Sequence, residues 1–432
     1  MLDQALGGTL NGNRTGKYFC LKLSHASKYK ASDIFWNRQM ALTPFIPQDK
    51  APGALQDAVV ELMQLDAALN ANIPQPLRLP MINLLRQVNS FYSNKIEGNP
   101  TLPAEVLRAQ EIPTGEKSPE DLMEIKRHIE AQRRLSIDPI DEVAICTRAS
   151  IARMHREFYV GMPEEHMDIK LNDEGETVRL VPGEFRSRGV KVGQHIPPSA
   201  EGMGSYLNWF EGAYRLDWLH GMTPILAAAG AHHRLMWIHP FMDGNGRTGR
   251  LFTDQYLRAA GLGGYGLWTI SRGFGRDVDA YYAALKAADH VRKGDLDGRG
   301  ELSDGGLLTF TEYFIATALE QVRYFSSLLE PRMLSQRIDY YFEMRKRGAF
   351  PTANGVDLPI LRIEARDVYR DLLYHGPMQR SDIQAKLDMS ERTTRNLLSQ
   401  MADEGLINLD GRKPVSLKLS RHSIEFLFPS LF

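Results

Sequence analysis

The sequence predicts a mostly α-helical protein. A helical core surrounds one polar loop, a small β-hairpin lies beside it, helices precede it, and a helix-turn-helix with its own hairpin closes the chain. Three observations carry this. Apolar residues recur at helical spacing on both sides of the loop 239–250, over 222–238 and again over 247–260. A glycine- and proline-punctuated stretch over 182–198 alternates in the manner of a short hairpin. Beyond residue 358, three helical patterns run into two short strand patterns separated by Asp410-Gly411.

Periodicity divides the 432 residues into about three or four units, in line with roughly 150 residues per domain. Residues 1–115 form an N-terminal region. It looks extended to about residue 50, with turn signals at Gly7-Gly8 and Asn11-Gly12, and becomes helical from Leu55. Within it a helix is expected from Pro80, a residue suited to a first turn, to about Gly98, which together with Pro100 stops it. A charged helical stretch over 119–134 leads into a core spanning 116–330, with a Gly/Asp-rich loop at 295–305. Pro331 opens a helical linker, 331–357, and 358–432 is the last unit.

Composition narrows the function classes. With 52 basic and 53 acidic residues the net charge is −1, so no global field draws the chain to nucleic acid or membrane, and any such contact is local. Two cysteines, Cys20 and Cys146, exclude a disulfide framework. The first twenty residues lack the apolar run of a signal peptide, and no window approaches the roughly 18 apolar residues of a membrane span. A cytoplasmic setting is the expectation.

The loop is His239-Pro240-Phe241-Met242-Asp243-Gly244-Asn245-Gly246-Arg247-Thr248-Gly249-Arg250. Gly244 and Gly246 allow close backbone approach where the following helix begins, and a helix N-terminus with unpaired N–H groups is an anion site. Arg247 and Arg250 fall three apart in the first turn, where the macrodipole disfavours cations, so a polyphosphate is expected there, with Asn245 donating to it. Asp243 offers the hard oxygen that Mg²⁺ prefers, and His239 suits a general base near neutrality. Phe241 is expected to anchor the loop in the core. Upstream, Ser93 and Glu97 fall on one face of a helix end, where a glutamate opposes the dipole and calls for a cation partner.

These residues resemble the Fic family, whose pattern H-x-F-x-(D/E)-G-N-G-R-x-x-R is matched from His239 to Arg250. The resemblance implies a protein adenylyltransferase moving AMP from ATP, with Mg²⁺, onto a hydroxyl side chain of a target protein or of the enzyme itself. His239 is then the base, Asp243 the metal ligand, Gly244 to Gly246 the anion hole, and Arg247 and Arg250 the holders of the β and γ phosphates. The stretch 182–198 resembles the family's flap, which aligns the target by strand addition. Tyr281 and Tyr282 fall on a helix like the one bordering adenine, where either ring could stack.

Ser93-Asn94-Lys95-Ile96-Glu97-Gly98 resembles the family's inhibitory motif, in which the glutamate pairs with the second arginine, here Arg250, and blocks the γ phosphate. Whether Glu97 also serves a reverse reaction that removes AMP stays open. The last unit resembles a winged helix, with Arg392, Thr393, Thr394 and Arg395 at the start of the recognition helix and Arg412 and Lys413 in the wing turn. DNA binding and protein docking both stay open, as does a homodimer through the N-terminal helices. The alternative function is a DNA-binding transcriptional regulator whose nucleotide pocket is a sensor.

Overall fold

The computed structural model of the chain describes residues 42–108, 120–170, 177–350 and 358–432. The turn signals at Gly7-Gly8 and Asn11-Gly12, Cys20, and most of the expected linker after Gly348 lie outside them. The N-terminal helices are α1 (Gly53–Asn72), α2 (Gln75–Ile96), α3 (Pro103–Arg108) and α4 (Glu120–Ile137). They are followed by α5 (Arg148–Tyr159), the strands β1 (Asp168–Lys170) and β2 (Thr177–Arg179), and α6 (Ala200–Tyr214). The central pair is α7 (Thr223–Ile238) and α8 (Asn245–Ala259). Behind it come α9 (Ile270–Arg276), α10 (Val278–Ala288), the long α11 (Asp304–Leu328) and α12 (Pro331–Lys346). The C-terminal unit holds α13 (Glu364–Tyr374), α14 (Arg380–Leu387), α15 (Glu391–Asp403), β3 (Ile407–Asn408), β4 (Ser416–Leu417) and α16 (Arg421–Leu427).

Local chemistry starts these helices where they start. Thr147, Ser199, Asp277, Ser303 and Ser390 each accept a hydrogen bond from a backbone N–H in the first turn of α5, α6, α10, α11 and α15, satisfying donors the helix leaves free. Gly405, at φ +70°, follows the end of α15 in the left-handed conformation that a side chain resists.

The pair α7 and α8 sits at the centre, with α6 and α11 against α7, and α5 and α2 against α8. Both central helices are buried on nearly all sides, α8 from Asn245 through Leu257. Gly230 of α7 allows this on one side. A Cβ there would meet the Pro44 carbonyl at 2.1 Å, so its hydrogen lets the segment 42–46 cross the helix, where Arg234 donates to the Thr43 carbonyl. Helix α2 is enclosed over its second half, from Gln87 to Asn94, and is packed by α4, α8, α9, α13 and β4.

Two expectations change. The helix expected from Pro80 begins a turn and a half earlier, at Gln75, with Pro76 in its first turn and Pro80 inside it. Pro80 gives up the bond to the Pro76 carbonyl and crowds that turn, and burial of Leu77, Met81 and Leu84 in the core outweighs this. The expected hairpin over 182–198 holds no strand. Its pairing is a single bridge between Val192 and His195, while the strands of this region, β1 and β2, pair earlier in antiparallel register Asp168–Arg179. Pro182, Pro197 and Pro198 offer no N–H, and Arg186 draws the backbone onto the 239–244 loop instead. At the C-terminus, three helices and the antiparallel pair β3–β4 follow in the expected order, with Met378 bridged to Val415. Among the described residues, no helix is long and apolar enough to cross a membrane.

Candidate active site

The loop between α7 and α8 is held by its own residues and by three distant elements. His239 ends α7 at φ 51°, a left-handed backbone unusual for a side chain with a Cβ, and Gly244 at φ 75° opens α8. Between them Phe241 is fully buried, its ring stacked on His155 at 3.9 Å and on Phe185 at 5.3 Å. The His155 ring accepts from the Gly183 N–H through Nδ1, which leaves Nε2–H to donate to the Asp243 carbonyl at 3.1 Å.

Arg186 fastens the other end. Its Nε donates to the His239 carbonyl at 2.7 Å, and its backbone N–H donates to the Pro240 carbonyl. Asn245 closes the loop internally, accepting from the Phe241 N–H and donating to the Phe241 carbonyl, both at 2.8 Å. The sequence reading directed that amide at a phosphate; its hydrogen bonds are made within the loop, leaving the anion-facing role to the backbone N–H groups that begin α8.

His239 is poised as a base. Its Nδ1 lies 3.3 Å from the Met236 carbonyl, which places the proton on Nδ1 and the lone pair on Nε2. Burial pushes its pKa down to about 4, helped by the nearby Arg186 and His195 and opposed by Glu97 and the Met236 carbonyl. The ring is therefore neutral at pH 7.

Asp243 accepts from the Tyr159 hydroxyl at 2.7 Å and from Arg247 at 3.0 Å. Burial acts to raise its pKa, but Arg247 and these hydrogen bonds outweigh burial and hold it below the ordinary carboxylate range. The side chain is about half exposed, so an ionised oxygen faces outward. Among the described residues no three His, Cys, Asp or Glu side chains are grouped to hold a metal. A lone open carboxylate suits Mg²⁺, which keeps waters and takes its remaining ligands from substrate phosphates. Gly244 matters here as well, since a Cβ at that position would lie 2.7 Å from the Tyr159 hydroxyl.

The two arginines are buried and occupied. Arg250 donates through Nε to Ser93 Oγ at 2.7 Å, and through one terminal nitrogen to the Ser93 carbonyl at 2.8 Å and to Glu97 Oε1 at 2.5 Å. Ser93 and Glu97 thus meet the same guanidinium. Glu97 also lies against the start of α8, since a Cβ on Gly246 would be 2.0 Å from its Oε1. Arg247 lies 4.6 Å over the Phe158 ring and donates to Asp243 and, at 2.5 Å, to Glu124 on α4.

The two tyrosines differ. Tyr281 is fully buried, paired with His232 at 2.8 Å and stacked on Phe274 at 4.5 Å, so it offers no face to a ligand. Either ring was open to stacking on sequence grounds, and only Tyr282, 45% exposed, has a free side; its hydroxyl donates to the Ile96 carbonyl beside Glu97. Sequence reasoning missed Glu124, His155, Tyr159 and Arg186. They come from other elements, and on those elements they read as ordinary residues of amphipathic helices or an exposed loop.

Residues 145–257 match the Fic/DOC family. A protein adenylyltransferase Fic of Nematostella vectensis is 28% identical over 251 residues, which are 54% of this chain and 53% of that protein. A protein of the same name from Culex quinquefasciatus is 46% identical over 79 residues, 18% of this chain and 16% of that one. The chain thus spans about half the length of the first relative and about a sixth of the second. A solved Fic family protein from Desulfovibrio desulfuricans overlaps with a TM-score of 0.47 at 18% identity, covering 85% of this chain and 96% of that one. The motif loop from His239 to Arg250 lies inside the stretch 145–257 that matches the Fic/DOC family.

Proposed function

We propose that this protein is an adenylyltransferase that moves AMP from ATP onto a serine, threonine or tyrosine hydroxyl of a target protein or of itself. The observation that carries this reading is the neutral, half-buried His239 beside an ionised, outward-facing Asp243 at a helix N-terminus bearing two arginines. His239 Nε2 takes the proton of the hydroxyl as its oxygen attacks the α phosphorus, and the bond to the bridging oxygen breaks to release pyrophosphate. The N–H groups at the start of α8 face the phosphates, and Arg247 and Arg250 neutralise their charge. Asp243 would hold Mg²⁺, which supplies charge neutralisation at the phosphates when bound. With Glu97 on Arg250, the resting enzyme is restrained.

The test uses the full chain carrying Glu97→Gly, with ATP labelled at the α or the γ phosphate. Label from the α position on protein, and none from γ, is the expected result. Label from γ would mean phosphorylation. Nucleotide binding without either label would favour a sensor that reports nucleotide to DNA.

One observation supports a nucleic-acid role for the C-terminal unit beside the transferase. Arg392, Arg395, Asn396 and Ser399 are exposed along one face of α15, and Arg412 and Lys413 are exposed in the turn between β3 and β4. Arg395 shares its charge with Glu391, so the field is modest. Duplex DNA should bind with an affinity that falls steeply with salt, and Arg392→Ala with Lys413→Ala should reduce that slope by about two. Fluorescence anisotropy with a random duplex measures it, and a flat salt response would leave the unit a protein-docking module.

A further inference from the structure

The site contains a carboxylate that the proposed reaction does not use. Glu124, on α4, reaches across to Arg247 at 2.5 Å, and the other terminal nitrogen of Arg247 is on Asp243 at 3.0 Å. One face of the guanidinium lies against Phe158, and its Nε is buried without a partner. Each terminal nitrogen of Arg247 thus already serves a carboxylate, and a phosphate must compete with both for the guanidinium. The forked geometry that makes arginine a phosphate ligand is already filled by two carboxylates.

The arrangement repeats the one at Arg250, whose terminal nitrogen is on Glu97. The two are also linked. Asn99, two residues past Glu97, donates to Glu124 Oε2 at 3.1 Å and to the Asp121 carbonyl at 2.9 Å, while its own N–H donates to the Asn94 carbonyl at the end of α2. The chain segment that carries one carboxylate therefore steadies the other.

We infer that Glu124 is a second inhibitory carboxylate, which occupies Arg247 as Glu97 occupies Arg250, so that both arginines must change partners before a triphosphate is held. Release is sequential: while Glu97 is in place, freeing Arg247 gains little. Once Glu97 is gone, Glu124 becomes the remaining competitor for the phosphates. Unwinding around Asn99 withdraws support from both.

This inference rests on the proposed transferase reading for its kinetic consequence, but its binding consequence does not. The full-length chain is compared as wild type, Glu97→Gly, Glu124→Gln and the double variant, with thermal melts confirming that each folds. Binding of Mg²⁺ and α,β-methylene ATP, whose α–β bridge cannot break, is measured by calorimetry, and AMP transfer is measured with ATP. Glu124→Gln alone is expected to change binding less than twofold. In the Glu97→Gly background it should tighten binding fivefold or more and raise kcat/KM by a similar factor.

Glu124→Asp keeps the charge and shortens the reach, and in the same background it should also tighten binding. An improvement with glutamine but none with aspartate would reduce the effect to general charge and overturn the inference. Weaker binding with slower transfer in the double variant would overturn it too, making Glu124 a positioning residue that orients Arg247 for phosphate. If Glu97→Gly transfers no AMP at all, the transferase reading fails while the binding comparison still decides the role of Glu124.

Discussion

On the proposed transferase reading, Glu97→Gly should raise the rate of AMP transfer ten- to a hundredfold. The size follows from the contact removed, a charge-assisted hydrogen bond between Glu97 and a buried arginine, worth about 1.5–3 kcal/mol. Arg250 does not collapse when the carboxylate leaves, because Ser93 still holds its Nε through Oγ and one terminal nitrogen through the carbonyl. The freed edge faces the start of α8, where Glu97 Oε1 lay against Gly246. The backbone accepts the change, since residue 97 ends α2 at φ −82° and ψ 4°, which glycine adopts freely. Leaving a buried guanidinium short of a partner also lowers stability, so the melting temperature should fall and recover when MgATP is added. Initial rates with labelled ATP measure the first effect and thermal melts the second. A variant no faster than the wild type would show that Glu97 does not restrain the site.

Alanine at position 239 has the opposite and larger effect. Transfer should fall about 10²- to 10⁴-fold, the usual range for loss of a general base, while nucleotide affinity changes little, because the hydrogen-bond donors that face phosphate lie on other residues. The pH profile of the intact enzyme identifies the base. Burial, with Arg186 and His195 nearby, lowers the His239 pKa to about 4, so the competent neutral ring persists well below the ordinary histidine range. The acid limb of kcat/KM should therefore lie near pH 4 rather than near the ordinary value of about 6.5. Glu97 opposes this shift, so Glu97→Gly should move the limb lower still. A limb near 6.5 that survives His239→Ala would assign the proton transfer to another group.

The sequence made the loop legible because its parts are contiguous. A base, a carboxylate, two glycines and two arginines within twelve residues carry their meaning in their spacing, and the helix boundaries around them came within a residue or two. The same held for α15, whose Ser390 cap and Gly405 stop are local signals. The surrounding shell was not legible. Tyr159, Glu124 and Arg186 reach the loop from 84, 123 and 53 residues away, and nothing in a one-dimensional pattern distinguishes them from solvated neighbours. The choice between Tyr281 and Tyr282 turned on which ring α10 buries, and adjacent aromatic residues give the sequence no means of deciding it. The stretch 182–198 was misread because alternation and turn residues predict pairing only when a partner strand is present, and here the partner is the loop backbone itself.

Helix α2 sets the manner in which the site can open. From Gln87 to Asn94 every side chain is buried, with Asn89 hydrogen-bonded to Asp254, Ser90 to Gln132 and Asn94 to His128. Such a rod cannot pivot or slide without breaking many contacts at once. The soft joint lies just beyond it, where Gly98 turns left-handed at φ 87° and no neighbouring atom lies within 4 Å of where its Cβ would be. Under the proposed inhibition by Glu97, relief would be a fraying event, limited to the final turn and confined to a handful of torsions. Its cost is set by that turn alone, and a ligand or partner that grips the segment after Asn99 could trigger it without disturbing the core.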